Sequence, residues 1–334
     1  MTMQVFDNLK ALRSAYPHCV LTIGKYDGMH LGHQQILQRV KTVAAELKLP
    51  SLVVLSEPQP EEFFAGKNAP ARLLSFADKL GFLEGIGIDL VYKMNFDQQL
   101  SELSAEDFIS DILSQGLGTK ALIVGDDFHF GKNRKGDFNL LQAQGNQLGF
   151  SVEAAKEYLN GGLRVSSTLL RKKLESGDCE AACKLLKRPY HLSGQVIKGQ
   201  QLGRELGYPT ANLKTGINKL ALEGVFAVTA ELGQRCIEGV ASVGYKPTIE
   251  GVHDLTVEVF LLNFNEDIYG EKLTVHFHKK IRDQEKFPDL QVLKSHIADD
   301  VEKVKLYFSA QKTINKNGVN GSVNNSEYRV GDVS

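Results

Sequence analysis

The run Thr22-Ile23-Gly24-Lys25-Tyr26-Asp27-Gly28-Met29-His30-Leu31-Gly32-His33 joins an apolar stretch to a helical one through a glycine-rich turn. Two histidines separated by Leu-Gly can both address one phosphate, and Gly32 lets backbone and ligand approach closely. A helix expected to begin near His33 adds free N–H groups and the positive end of its dipole. This combination suits nucleotidyl transfer: an attacking phosphate displaces pyrophosphate from the α-phosphorus of ATP, and the imidazoles stabilise the charge that develops. Taken alone, the four residues read equally well as an exposed turn. Farther on, VSSTLLRKKL (165–174) sets Ser166, Ser167 and Thr168 at a helix start with Arg171 one turn inside. Hydroxyls and an inward Arg there hold β- and γ-phosphates, or else simply cap a helix.

A second constellation lies in GQVIKGQQLGRELGYPTANL (194–213). Gly199, Gly203 and Gly207 permit close phosphate approach, and Arg204 stands among them. Thr210 and Asn212 are two residues apart, hence on one face of an extended segment. Their hard oxygen donors suit Mg²⁺, which takes few protein groups and completes its shell with water and ATP oxygens. Downstream, LTVEVFLLNF (255–264) sets Glu258 in an otherwise apolar strand. A carboxylate there accepts the proton of an alcohol attacking a γ-phosphate, or forms an ordinary salt bridge. Arg282 in KKIRDQEKF is placed either to pair with Glu258 or to bind the acceptor. Cys19, Cys179, Cys183 and Cys236 are scattered. Cys179 and Cys183 share a helix face, but no second pair of ligands stands nearby, so free thiols are expected.

Elements must hold these residues in place. Apolar runs at 19–24, 49–56, 89–96 and 120–128 alternate with helical periodicity at 33–48, 75–87, 104–117 and 137–149. The helix at 104 opens with Ser104 and Asp107, a variant capping box. This alternation implies a parallel sheet covered on both faces, with ligands at the C-terminal ends of its strands. A helix over 168–187 closes the first half. From about residue 190, strand-like runs separated by Gly, Asn and Pro turns predict an antiparallel β-barrel or sandwich. A helix over 289–310 ends it, and a polar Asn/Gly/Ser-rich tail follows. The expected division is 1–186, 187–312 and a tail at 313–334.

Hydrophobic residues make up 42% and charged residues 24%, with a net charge of −1. That balance speaks against a general nucleic-acid or membrane-surface binder, since either needs a large basic excess. No segment reads as a signal peptide or a membrane span. A cytoplasmic protein, a monomer or weak homo-oligomer with small-molecule partners, is the expectation.

Together the two constellations resemble known families. The HxGH pair with VSSTLLR is similar to the HxGH nucleotidyltransferases. Over residues 18–310 the chain resembles the bacterial bifunctional riboflavin kinase/FMN adenylyltransferases, or FAD synthetases. GKYDGMHLGHQ, EPQPEEFF, ARLLSFADKL, VGDDFHFGKNRKGDF and VSSTLLR carry the first half of that resemblance; GRELGYPTANL, GVASVGYKPT, VEVFLLNFNEDIYG and KKIRDQEKF carry the second. The resemblance implies a Rossmann-like α/β nucleotidyltransferase domain followed by a small six-stranded β-barrel kinase domain with a C-terminal helix. It implies ATP, riboflavin, FMN and FAD as substrates and products, with Mg²⁺. By that resemblance Gly24, Lys25, His30, His33, Ser167, Thr168 and Arg171 serve the first ATP, and Gly125, Asp127 and Phe128 line the nucleotide and flavin region. Gly199, Gly203, Arg204, Thr210 and Asn212 serve the second ATP, Thr210 and Asn212 hold the metal, Glu258 is the base, and Arg282 and Glu285 meet the flavin. Departures from the usual pattern are Lys25 for Asn, Tyr26 for Phe, His129 for Arg, Ser242, Tyr245 and Lys246 for Asn, Thr and Arg, and Gln284 for Glu. They leave open a member with one working activity, or a flavin- or nucleotide-binding regulator.

Overall fold

The computed structural model describes residues 2–199, 201–247 and 253–316. Among them, 2–70 with 79–166 form one compact unit, and 71–78 with 167–316 form another. In the first unit six parallel strands, β1 Gln4–Phe6, β2 Cys19–Gly24, β3 Ser51–Glu57, β4 Leu90–Asn95, β5 Thr119–Gly125 and β6 Ser151–Ala155, take the order β1-β4-β3-β2-β5-β6. The chain winds outward from β2 through β3 to β4, then crosses back to β5. The switch point of this doubly wound sheet therefore lies between β2 and β5, where such sheets bind ligands at the strands' C-terminal ends.

Burial on both faces explains the unbroken apolar runs of the inner strands. Cys19, Leu21 and Ile23 of β2 and Leu122 and Val124 of β5 join one core with Phe108, Ile109 and Leu113. The alternating Val20, Ala121 and Ile123 join the opposite core with Val40, Val43 and Ala44 of the helix Leu31–Leu47. β1 and β6 escape the sequence pattern because they are short edge strands with exposed positions. The helix expected over 104–117 begins with Ser104 accepting from the Asp107 N–H, as its capping pattern requires, and widens to π-type turns over Phe108–Gly116. After β6 comes a two-residue hairpin, β7 Leu159–Asn160 and β8 Leu163–Arg164, turned by Gly161 and Gly162 at positive φ.

In the second unit β9 Tyr190–Ile197, β10 Thr210–Lys214, β11 Gly224–Leu232, β12 Arg235–Pro247, β13 His253–Leu261 and β14 Lys272–Arg282 close into an antiparallel barrel, in the order β10-β13-β12-β11-β14-β9. Phe226 of β11 packs edge-on against Phe277 with centroids 5.4 Å apart. The alternating Val225 and Ala227 pack with Val301, Val304 and Phe308 of the terminal helix Leu290–Lys316. Residues 71–78 are tied into this unit: the Tyr190 hydroxyl donates to the Leu73 carbonyl at 2.8 Å and the Arg72 N–H to the Lys219 carbonyl at 3.2 Å.

Two expectations are corrected. The single helix over 168–187 is two, Ser167–Glu175 and Cys179–Leu186, because Gly177 at φ 75° ends the first and Asp178 caps the second. The terminal helix outlasts 310 and reaches Lys316, so only 317–334 of the expected tail lie outside the described residues. All four cysteines are free thiols.

Candidate active sites

The turn after β2 is fixed in a costly shape. Tyr26 and Met29 both take φ 48° without being glycine, a conformation that persists only when neighbours over-determine it. They do: the Tyr26 hydroxyl shares a 2.6 Å hydrogen bond with Thr22, the Gln34 amide donates to the Met29 carbonyl at 2.9 Å, and both side chains are buried. The buried ammonium of Lys79 donates to the Lys25 carbonyl at 2.8 Å. The helix begins at Leu31, not at His33. His30 is its N-cap, with Nδ1 accepting from the His33 N–H at 3.3 Å.

The two imidazoles stack, 3.7 Å between centroids at 16°, and Tyr26 leans on His33 at 4.9 Å. A Cβ at Gly32 would sit 3.3 Å from the His30 ring, so the glycine makes room for the stack. Burial, then the charges of His30, Lys79 and Lys25, hold the His33 proton affinity well below that of a free imidazole. His33 is therefore neutral near pH 7, and its buried Nδ1 meets no hydrogen-bond partner among the described residues. Lys25 forms an ion pair with Glu61 of the helix Pro60–Ala65, which follows β3.

Across the switch point, β5 ends at Gly125 and leads into Asp127 and Phe128. Arg164 ties this loop to the β7–β8 hairpin, 2.7 Å from Asp127 and 2.9 Å from Glu157. The Asp127 carboxylate thus already has a cationic partner. Phe128 stacks on Phe130 at 5.5 Å, and His129 Nδ1 lies 2.9 Å from the Asp127 carbonyl. Ser167, Thr168 and Arg171 belong to the second unit, where Arg171 Nε donates to the Ala71 carbonyl at 2.7 Å. That they serve the same nucleotide as the histidines is proposed on the motifs alone.

In the barrel, Asn212 of β10 pairs in register with Glu258 of β13, and Glu258 pairs with Ser242 of β12. Thr210 and Asn212 share a strand face, and Thr210 Oγ1 donates to Glu258 Oε2 at 3.4 Å. Gly199 and Gly203 close over this pair. A Cβ at Gly199 would lie 2.4 Å from the Asn212 amide, and one at Gly203 3.4 Å from Thr210 Oγ1. Arg204 and Thr210 line a cavity of 370 Å³ together with Phe264, Asn265, Ile268 and Tyr269. Those last four follow β13 inside the segment VEVFLLNFNEDIYG, but no site role was assigned to them from the sequence.

The departures have local explanations in part. Gln284 Nε2 donates to Ser242 Oγ at 2.8 Å and to the Val243 carbonyl at 3.1 Å, so two of the unusual residues bond each other. A carboxylate at 284 would bring only acceptors to that carbonyl. The Tyr245 hydroxyl accepts from the Leu220 N–H at 3.3 Å. The side chain of Lys246 lies outside the described residues. Arg282 pairs with Asp300 of the terminal helix, at 2.9 Å from Nη2 and 3.0 Å from Nε, rather than with Glu258; Glu285 is exposed.

Residues 12–169 match the model of the FAD synthetase family, and residues 186–308 that of riboflavin kinase. The chain is 46% identical over 299 residues to the bifunctional riboflavin kinase/FMN adenylyltransferase of Pseudomonas fluorescens, covering 90% of this chain and 96% of that one. It is 41% identical over 295 residues to that of Escherichia coli (strain K12), covering 88% and 94%. A crystal structure described as a macrolide-efflux protein from Streptococcus pneumoniae matches with a TM-score of 0.75 and 27% identity, covering 91% of this chain and 99% of that one; the description is that protein's own. No helix among the described residues is long and apolar enough to cross a membrane. Matched in both halves and along nearly the whole length of these relatives, the chain belongs to the family of bifunctional riboflavin kinase/FMN adenylyltransferases.

Proposed function

We propose that one polypeptide runs both transfers of its family: riboflavin and ATP give FMN and ADP at the barrel, and FMN and ATP give FAD and pyrophosphate at the α/β unit. The observation that carries the first transfer is the meeting of Thr210, Asn212 and Glu258 on paired strands beside the 370 Å³ cavity. Glu258 takes the proton of the ribityl 5′-hydroxyl as its oxygen attacks the γ-phosphorus, and ADP leaves. The Thr210 hydroxyl and Asn212 amide oxygens are the hard donors that Mg²⁺ accepts, and Glu258 Oε2 lies 3.4 Å from the first. Bound there, Mg²⁺ supplies charge neutralisation on the phosphate oxygens. Gly199 and Gly203 let the loop come close to Asn212 and Thr210, and Arg204 adds charge. Glu285 stands with the flavin in this reading, whereas Arg282 is assigned to holding the terminal helix.

In the second transfer a phosphate oxygen of FMN attacks the α-phosphorus of ATP and pyrophosphate departs. His30 and His33 hydrogen-bond the phosphates, with Gly24, Lys25, Ser167, Thr168 and Arg171 assisting and Gly125, Asp127 and Phe128 beside the nucleotide and flavin. The unpaired Nδ1 of neutral His33 supports a ligand at the stacked pair. Partners are small molecules, and the four free thiols suit the reducing cytoplasm.

The test separates flavins chromatographically after incubation of the protein with riboflavin and MgATP. FMN and then FAD are expected, and the absence of both under varied metal conditions sinks the reading. Glu258→Gln is expected to abolish FMN formation while FAD still forms from supplied FMN. Loss of both activities would show that the two-site assignment is wrong.

A further inference from the structure

We infer that Lys25 is a swinging phosphate ligand of the adenylyl site, paired with Glu61 and exchanged onto the ATP phosphates when nucleotide binds. The inference rests on the adenylyl reading above.

Three observations define the arm. Its pivot is fixed: the carbonyl of Lys25 accepts from Lys79, whose side chain is 1% exposed, inside a turn already locked by Tyr26 and Met29. Its tip is held only from outside. The Lys25–Glu61 pair joins the turn after β2 to the helix after β3, with the two side chains 44% and 34% exposed. A pair so exposed is worth at most a factor of about five in an equilibrium constant. A triphosphate carries several charges where Glu61 carries one, so it outcompetes the carboxylate. Beside the turn, His33 is neutral and the buried Lys79 donates to main chain. Lys25 is near enough for its charge to act on the His33 ring. With His33 neutral, the site still has to meet an anion, and Lys25 is a cation beside it with a free path to move.

Glu61 then sets the threshold for nucleotide, competing with ATP for one ammonium. Two single variants and their double form the test, with the Michaelis constant for ATP measured in FAD formation from supplied FMN. Lys25→Met should raise that constant about tenfold, the loss of one charged contact to phosphate. Glu61→Gln should lower it about threefold, because the arm no longer has a competing partner. In the double variant the gain should vanish, leaving the constant of Lys25→Met. Thermal unfolding of each variant reports on folding, which matters most at Glu61, whose Oε2 is buried. A Glu61→Gln constant that is unchanged or higher overturns the latch, and so does a gain that persists without Lys25. If the wild-type chain forms no FAD from FMN, the adenylyl reading falls and the latch with it; if it forms FAD and the variants behave otherwise, only the latch falls.

Discussion

At the scale of single residues, burial sets proton affinities before any ligand does. His278 on β14 shares a 2.8 Å hydrogen bond with Thr229 and meets the ring of Phe308 edge-on. Burial, reinforced by the charge of His276, pushes its pKa down to about 4 from 6.5. The unfolded chain takes up a proton near pH 6.5 and the folded one refuses it until about pH 4, so the unfolded state binds more protons in between. Stability contributed by this neutral imidazole is thus present above pH 6.5 and lost as pH falls toward 4, about 3 kcal/mol in all. Urea unfolding at pH 7.5 and 4.5 should show a smaller difference for His278→Gln than for the wild type; an equal difference would show that His278 does not bear the cost. His33 and His191 are shifted in the same direction. None of these shifts is legible in sequence, since a histidine's spacing says nothing of its burial.

At the scale of elements, the terminal helix is fastened by one buried pair as well as by packing. Arg282 at the end of β14 grips Asp300, which is only 3% exposed, while Val301, Val304 and Phe308 pack on β11 and β12. Removing the guanidinium strands a buried carboxylate, which costs about 3 kcal/mol or more. Arg282→Met should lower the unfolding free energy by that amount in urea titrations. Arg282→Lys should recover only part, because an ammonium lacks the two-pronged fork. The sequence pointed to Arg282 as a ligand for Glu258 or for flavin, because Asp300 is 18 residues away on another element and no local pattern links them. The strands with continuous apolar runs, β2, β3, β5 and β11, were readable for the opposite reason: burial on both faces leaves its mark in the run itself.

At the scale of the whole molecule, two transfers on one chain make FMN both product and substrate. If FMN is released between them, a mixture of Glu258→Gln and His33→Ala should form FAD from riboflavin and MgATP, after a lag, although neither variant does so alone. No FAD from the mixture, with each variant keeping its one remaining activity, would show that FMN does not pass through solution. The sequence by itself determined an α/β half followed by an antiparallel β half, the order of the motifs and the candidate site residues, because apolar period and motif spacing are local properties that travel with the chain. Tertiary structure alone decided which partners those residues take. It stacked His30 on His33, turned Lys25 toward Glu61, spent Arg282 on Asp300 and joined Gln284 to Ser242. It also bound residues 71–78 to the unit otherwise formed by 167–316. Hydrogen bonds and ion pairs between distant elements depend on sheet order and register, and those exist only once the chain has folded.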